Sequence, residues 1–203
     1  EWARSQTGAN LYFTVNEVSP TFQGIKPTKA DISRARFAHV DIDPPESGEW
    51  DRDGALLALM AQNPTVIIDS GNGWQGLWAL THHSDDVEAI NRGIAHALGA
   101  DGRIWNIDRL FRVPDTTNWP NAVKLAKGRV PAQTGLVLYD PSLTYDPEVL
   151  LGHYPAPARA ARVAEGVYDG PYEPDYDPPL PSNELRDLLW ADIPAGSRSE
   201  HAA

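Results

Sequence analysis

The sequence predicts an α+β domain with a mixed or antiparallel sheet, followed by an acidic tail. Short runs rich in β-branched and aromatic residues recur along residues 10–139, with helical patterns between them. Two of these runs are joined by a Ser-Gly-Asn-Gly turn, which is typical of a hairpin. Beyond about residue 154, aliphatic residues become scarce and Pro, Tyr, Asp and Glu predominate. We therefore predict a folded core at 1–154 and an extended linker or tail at 155–203.

The predicted strands are short, and most have a clear stop signal. Residues 37–43 (FAHVDID) read as a strand that ends at Pro44, because proline cannot continue a hydrogen-bonded ladder. The strands 65–69 and 74–80 flank the turn that contains Asn72-Gly73. Further strands are predicted at 10–16, 122–126 and 135–139.

The strongest helical pattern covers residues 85–98. Its apolar residues recur at helical spacing, Ser84 is a favourable N-cap, and Gly99 favours termination. Shorter helices are predicted at 29–35, 53–62 and 182–190, the second of them ended by Asn63-Pro64.

The charge is unevenly distributed along the chain. The formal net charge is −11, which by itself argues against binding to phosphate groups. However, residues 165–192 contain eight acidic residues and one basic residue, whereas residues 103–129 contain six basic and two acidic ones. The acidity is thus concentrated in the tail, and one region of the core is locally basic. One hypothesis is that the tail mimics nucleic acid and folds back onto this basic region.

Several classes of protein are disfavoured by composition. The chain has no cysteine, so disulfides, cysteine-bound zinc and a thiol nucleophile are excluded, and a cytoplasmic location is expected. No apolar run reaches the length of about 18 residues that a membrane helix needs. The phosphate loop GxxxxGK[ST] is absent as well. Because the chain does not start with Met, we expect it to be a piece of a longer protein.

The strand at 37–43 brings two carboxylates to one face. Since alternate side chains share a face, His39, Asp41 and Asp43 point one way and Val40 and Ile42 the other. Two carboxylates so placed repel each other unless a cation lies between them. A pair of Mg²⁺ or Mn²⁺ ions, as used in phosphoryl transfer, would relieve the repulsion. The alternative is an exposed strand end with solvated acidic side chains.

Two other segments have residues suited to phosphate. In Ser70–Gln75, glycines permit close approach of a ligand, and successive amides can cradle phosphate oxygens; the alternative is a plain hairpin turn. In the segment 107–124, Asp108 lies among cations that could neutralise a triphosphate. The alternative there is a helix on which Asp108 and Arg112 form an ordinary ion pair.

The order of these segments resembles the archaeo-eukaryotic primase superfamily, in particular the primase–polymerases of phages and plasmids. The resemblance covers roughly residues 10–140 and rests on DID, SGNGWQGLW and IDRLFRVPDTTNWPN, in that order. It implies a catalytic core with an RRM-like sheet flanked by helices, in a protein encoded by a phage or plasmid of a prokaryotic host. It also implies a downstream helicase or accessory domain beyond the segment 193–200.

The resemblance assigns roles to individual residues. Asp41, Asp43 and Asp108 would be the catalytic residues and would bind two Mg²⁺ or Mn²⁺ ions. The incoming NTP or dNTP would be bound by Ser70, Gly71, Asn72, Gly73, Gln75, Arg109, Arg112 and Lys124. Charge and location further suggest that Lys26, Lys29, Lys127 and Arg129 contact the DNA.

Two positions depart from the family pattern. Gln75 stands where many members have His, which removes a possible proton donor or phosphate contact. Asp115 stands where many relatives have Gly, and Asp tolerates a positive φ better than most residues.

The function expected from these residues is that of a DNA primase–polymerase, which joins nucleotides on a primed single-stranded DNA template. We expect no membrane partner. Two alternatives stay open. One is a replication initiator module that binds DNA without catalysis, and the other is a metal-dependent nuclease that uses the same carboxylates to activate water.

Overall fold

The structure is a computed structural model that describes residues 2–45 and 49–157. The predicted helix at 182–190 and nearly all of the acidic tail lie outside the described residues. Within these ranges the α-helices are α1 (Trp2–Ser5), α2 (Arg52–Met60), α3 (Val87–Ala97), α4 (Ala122–Ala126) and α5 (Pro147–His153). The strands are β1 (Tyr12–Thr14), β2 (Glu17–Val18), β3 (Ile32–Arg34), β4 (Phe37–Ile42), β5 (Val66–Asp69), β6 (Trp74–Leu80), β7 (Leu110–Arg112), β8 (Thr117–Asn118), β9 (Ala132–Gln133), β10 (Gly135–Tyr139) and β11 (Thr144–Tyr145).

The central sheet has five strands and is built around β6. Strand β6 pairs antiparallel with β4 on one side and with β5 on the other, and β10 pairs antiparallel with β5. The short strand β11 adds a parallel pairing at the end of β6. The predicted α+β class with a mixed or antiparallel sheet is therefore confirmed, since the sheet is antiparallel except for the pairing of β11 with β6.

One face of this sheet forms the main core. Val40 and Ile42 of β4 and Trp74 and Trp78 of β6 are almost fully buried on it. They pack in one cluster with apolar residues of α2, α3 and α5, namely Leu59, Ile90, Ile94 and Leu150. Burial of such side chains typically stabilises a fold by about 1.5–3 kcal/mol each.

The opposite face of the sheet carries polar residues under a two-stranded ribbon. Here Asp41 lies opposite Gln75 and His39 opposite Leu77 in the β4–β6 register. The antiparallel ribbon β1–β7 covers this face, and its fully buried Phe111 packs in a cluster with Leu77. Polar side chains of β4 are thus enclosed between the sheet and the ribbon, where a buried polar group without a hydrogen-bonding partner is costly.

Several predicted elements agree with the structure. The strands at 37–43, 65–69, 74–80 and 135–139 and the helix at 53–62 are present with small shifts of their ends. Of the described helices, none combines the length and the apolar character needed to cross a bilayer.

Three predictions of secondary structure are wrong in whole or in part. Residues 122–126 form helix α4 and not a strand, because the Asn121 side chain caps the helix by accepting from the Lys124 amide at 2.9 Å. The helix predicted at 29–35 is limited to one 3₁₀ turn at Lys29–Asp31. The chain then enters β3, which pairs with β2. The helix predicted at 85–98 is present as α3, but it begins at Val87 with Asp86, and not Ser84, at the N-cap position. The Ser84 hydroxyl instead accepts from the Asp86 amide in a turn that precedes the helix.

Candidate active site

A cleft of about 2240 Å³ opens where β4 ends. The turn after β5, the loop at 98–106 and the segment 123–130 contribute to its walls. Among the described residues, its cationic lining consists of Lys29, Arg52, Arg103, Lys124, Lys127 and Arg129. Its acidic lining consists of Asp43, Asp51, Asp101 and Asp108.

Asp41 is buried in β4, two residues before Asp43 of the cleft lining. Its side chain points to the ribbon side of the sheet, as the predicted alternation requires, and the residue is 5% exposed. One carboxylate oxygen accepts from Gln75 Nε2 at 3.3 Å, and the other accepts from Arg109 Nη2 at 3.0 Å. For Asp41, the alternative of a solvated acid at an exposed strand end is therefore wrong.

Asp43 follows two residues later and lines the cleft itself. Although its side chain reaches solvent, the surrounding protein removes enough water to raise its pKa to about 6, and the nearby Asp41 charge acts in the same direction. The cations Arg129, Lys124 and Arg109 partly oppose that shift. Asp41 and Asp43 thus form a mutually repelling carboxylate pair, which is the arrangement that a divalent cation relieves.

Asp108, the third predicted metal ligand, lines the same cleft as Asp43. Its Oδ1 accepts a hydrogen bond from Asn106 Nδ2 at 2.7 Å. Across residues 2–45 and 49–157, however, no three His, Cys, Asp or Glu side chains are grouped closely enough to hold a metal ion. The oxygen donors suit Mg²⁺ or Mn²⁺, but in this arrangement Arg109 already neutralises Asp41, so the three carboxylates do not form one ligand set.

The turn Ser70–Gly73 lies against the end of β4. Gly71 adopts a φ of 86°, and a Cβ on Gly73 would lie 2.3 Å from the Ile42 carbonyl oxygen, so both positions require glycine. The Gly71 amide donates to Asp69 and the Gly73 amide donates to the Ser70 hydroxyl. The two amides expected to hold phosphate are therefore engaged within the turn.

Of the predicted nucleotide-binding residues in this segment, Gly71 and Asn72 line the cleft. Ser70 and Gln75 are buried. The Gln75 side chain donates to Asp41 and accepts from the Arg112 amide at 3.1 Å, which ties β4 to β7. In this structure, Gln75 orients a carboxylate instead of facing a ligand.

The three predicted phosphate-binding cations occupy different surroundings. Lys124 lines the cleft, whereas Arg109 is largely buried against Asp41. The Arg112 guanidinium lies 4.3 Å from the centre of the Tyr12 ring. Because residues 110–112 form β7, the alternative of a helical ion pair between Asp108 and Arg112 is wrong.

Three of the four predicted DNA-binding residues contribute to the cleft lining. Lys29, Lys127 and Arg129 line the cleft, and Lys26 is not among its lining residues. Lys29 also forms an ion pair with Glu88 at 2.8 Å. Asp115 has a φ of 61°, in the left-handed region that Asp tolerates better than most residues.

Two cleft residues were not anticipated from the sequence. Arg52 forms an ion pair with Asp69 at 2.6 Å, and its guanidinium lies 3.8 Å from the centre of the Trp74 ring. Asn106 donates a hydrogen bond to Asp108. The only sequence feature that could have indicated this contact is that Asn106 lies two residues before an acidic residue of a predicted motif.

Comparisons with known proteins give one similar solved structure. No protein-family model matches the chain, and no curated protein matches it. Among solved structures, the chain is similar to the AEP domain of the primase–polymerase (PrimPol) of cyanophage S-2L. The TM-score is 0.48 and the sequence identity 18%, over 72% of this chain and 70% of that chain. At this level of similarity, neither family membership nor activity follows for this chain.

Proposed function

We propose that this chain is a DNA primase–polymerase, a nucleotidyl transferase that joins NTPs or dNTPs on a single-stranded DNA template in phage or plasmid replication. The observation that supports it best is the Asp41–Asp43 pair at the end of β4, where Asp43 enters a cleft that also contains Asp108. Six cations line the described part of that cleft, so a polyanion could lie beside the acidic pair.

In this proposal Asp41, Asp43 and Asp108 would hold two Mg²⁺ or Mn²⁺ ions. This requires Arg109 to leave Asp41, because their ion pair keeps the three carboxylates from forming one ligand set in the present arrangement. Bound divalent ions would supply Lewis acidity at the attacking 3′-hydroxyl and at the leaving pyrophosphate. Lys124, which already acts on the charge of Asp43, would neutralise a triphosphate oxygen. Gly71 and Asn72 would border the nucleotide from the turn side of the cleft.

The DNA would follow the cationic side of the cleft. Lys29, Lys127 and Arg129 would contact phosphates of the template or the primer. We further propose that residues 1–154 are the catalytic core of a longer cytoplasmic protein. A helicase or accessory domain would follow the acidic segment in that protein.

One observation favours a second function, that of a DNA-binding replication initiator module without catalysis. Arg109 neutralises Asp41 through a largely buried contact of 3.0 Å. If this ion pair is permanent, Asp41 is not a metal ligand, and the cationic cleft alone would bind DNA.

The experiment that tests the proposal is primer extension on a single-stranded template with Mn²⁺ or Mg²⁺ and each class of nucleotide. Asp41→Ala/Asp43→Ala is compared with Asp85→Ala/Asp86→Ala, a matched double change of acids that lie outside the cleft lining. Extension by the parent chain and the control, with none by the first variant, supports the transferase. Metal-dependent shortening of the labelled strand would indicate a nuclease. Binding without either product in all three proteins would favour the initiator module.

A further inference from the structure

Arg52, the first residue of α2, is fixed by contacts with two side chains. Its Nη2 donates to Asp69 Oδ1 at 2.6 Å in an ion pair, and its guanidinium carbon lies 3.8 Å from the centre of the Trp74 ring. Trp74 Nε1 in turn donates to the Arg52 carbonyl oxygen at 2.9 Å. Because Trp74 is 3% exposed and belongs to the main core, these contacts fix the guanidinium on the surface of that core.

The uncovered part of the Arg52 side chain faces the cleft. Arg52 lines the cleft, and its side chain is 37% exposed despite the contacts with Asp69 and Trp74. Trp50, which is half-buried, also lines the cleft, and its ring centre lies 6.0 Å from the guanidinium carbon. The cleft wall thus presents a flat group with one aromatic ring behind it and a second ring beside it.

The chemistry of this group suits a nucleobase better than a phosphate. The ion pair with Asp69 offsets much of the Arg52 charge, which is the property that attracts phosphate. The planar face of the guanidinium stays available, and a guanidinium is weakly hydrated and stacks well on aromatic systems. Unpaired bases are bound in this way, by stacking on guanidinium planes and on aromatic side chains.

Arg52 is also tied to the turn that borders the proposed nucleotide site. The Asp69 Oδ1 atom that accepts from Arg52 accepts from the Gly71 amide as well, at 2.8 Å. Gly71 lines the cleft, as do cations that could contact phosphates. Flat groups beside phosphate-binding cations are typical of sites for single-stranded nucleic acids.

We propose that Arg52, backed by Trp74 and bordered by Trp50, is a stacking site for an unpaired nucleobase. This inference rests on the proposed function, since it concerns how the same cleft holds its substrate, but it requires no divalent ion. A single-stranded DNA and a free nucleotide carry the same chemical group, so the test has one arm for each.

The first arm compares the Kd of a single-stranded oligonucleotide with the Kd of an abasic strand of equal length, in EDTA and at one salt concentration. The two strands have the same phosphate charge and differ in their bases. Arg52→Lys keeps a positive charge that can pair with Asp69 but lacks the planar face. It is expected to weaken binding of the normal strand about fivefold or more and to leave binding of the abasic strand unchanged. The second arm is a titration with dATP in EDTA.

Two further variants complete the experiment. Arg34→Lys is the matched control, because Arg34 forms an ion pair with Glu17 outside the cleft lining. It is expected to bind every ligand as the parent does. Trp50→Leu removes the neighbouring ring and is expected to reduce the preference for the normal strand, so it tests the same site if Arg52→Lys does not fold.

The outcomes separate this inference from the proposed function. If folded Arg52→Lys loses affinity for the normal strand alone, the site stacks a DNA base; if it loses affinity for dATP alone, the site stacks the base of the nucleotide. Equal losses on the normal and the abasic strand, or no loss with any ligand, would overturn the inference. Primer extension by the parent chain together with either of these results would leave the transferase standing. A loss confined to ligands with bases, in a chain that extends no primer, would instead retain the stacking site and remove the transferase.

Discussion

Arg109 Nη2 lies 3.0 Å from Asp41 Oδ2, and the two side chains are only 11% and 7% exposed. Removing one partner of a buried ion pair leaves an uncompensated charge, which typically costs about 3–5 kcal/mol. We predict that Arg109→Gln lowers the free energy of unfolding by about this amount in the absence of divalent ions. Chemical denaturation with and without Mn²⁺ measures the effect.

If Asp41 is a metal ligand, Mn²⁺ should restore much of the stability lost in Arg109→Gln, because the ion replaces the missing positive charge. Arg34→Ala is the control, since Arg34 is 63% exposed and lies 3.8 Å from Glu17. Its cost should be at most about 1 kcal/mol and independent of Mn²⁺. Equal stabilisation of Arg109→Gln and the parent by Mn²⁺ would argue against Asp41 as a ligand.

Gln75 offers a prediction about the same carboxylate from the neighbouring strand. Gln75→Leu removes the donor to Asp41 and leaves the buried Arg112 amide without its acceptor. The expected loss is about 1–3 kcal/mol of unfolding free energy. Gln75→Glu keeps the shape and the acceptor, but it places a second carboxylate beside Asp41. At pH 7.5 it should therefore be less stable than Gln75→Leu, and so less stable than the parent. Equal stability of Gln75→Glu and the parent at that pH would contradict the observed orientation.

The sequence contained enough information to place Asp41 on the opposite side of β4 from Val40 and Ile42. Alternation along residues 37–43 separates Val40 and Ile42, which enter the core, from Asp41, which does not. The turn glycines at 71 and 73 were predictable too, because a tight hairpin imposes positive φ and close approach. These features depend on neighbours in sequence, which is why local patterns were sufficient.

Contacts between distant residues could not be predicted in this way. The contact between Arg109 and Asp41 is one example, because the two residues are 68 positions apart and nothing in their sequence neighbours indicates it. The hydrogen bonds from Asn16, His39 and Asn91 to the carbonyls of residues 105–107 were missed for the same reason, because these three residues are far apart in the sequence. Helix α4 was missed because AVKLA is compatible with either a strand or a helix, and the Asn121 cap decides between them.

His39 provides a prediction about acid stability. Burial is the main cause that lowers its pKa from 6.5 to about 4, so the folded protein keeps the ring neutral while the unfolded chain protonates it. The contribution of the neutral His39 ring to the free energy of unfolding is fully present above pH 6.5. It is lost progressively as the pH falls towards 4, by about 3 kcal/mol in total. His39→Gln should therefore show a flatter dependence of unfolding free energy on pH in that window.

Asp43 changes the stability in the opposite direction over part of this pH range. Its raised pKa, about 6, means that the folded protein gains a proton first, so acidification between pH 6 and 4 favours folding. The His39→Gln comparison is therefore best made in an Asp43→Asn background, where that contribution is absent. Identical pH profiles with His39 and with Gln at position 39 would show that the ring is not held neutral.

The cations along the cleft allow a prediction about DNA binding. Each phosphate contact contributes about 0.7 to the slope of log affinity against log salt for a single strand. We predict that Lys29→Ala/Lys127→Ala/Arg129→Ala weakens binding to single-stranded DNA and lowers that slope by about 2, because three contacts are lost together. Fluorescence anisotropy over a series of salt concentrations measures the slope, and Arg34→Ala/Arg36→Ala, outside the cleft lining, is the control. If the control changes the slope as much as the triple variant does, the DNA does not follow this cleft.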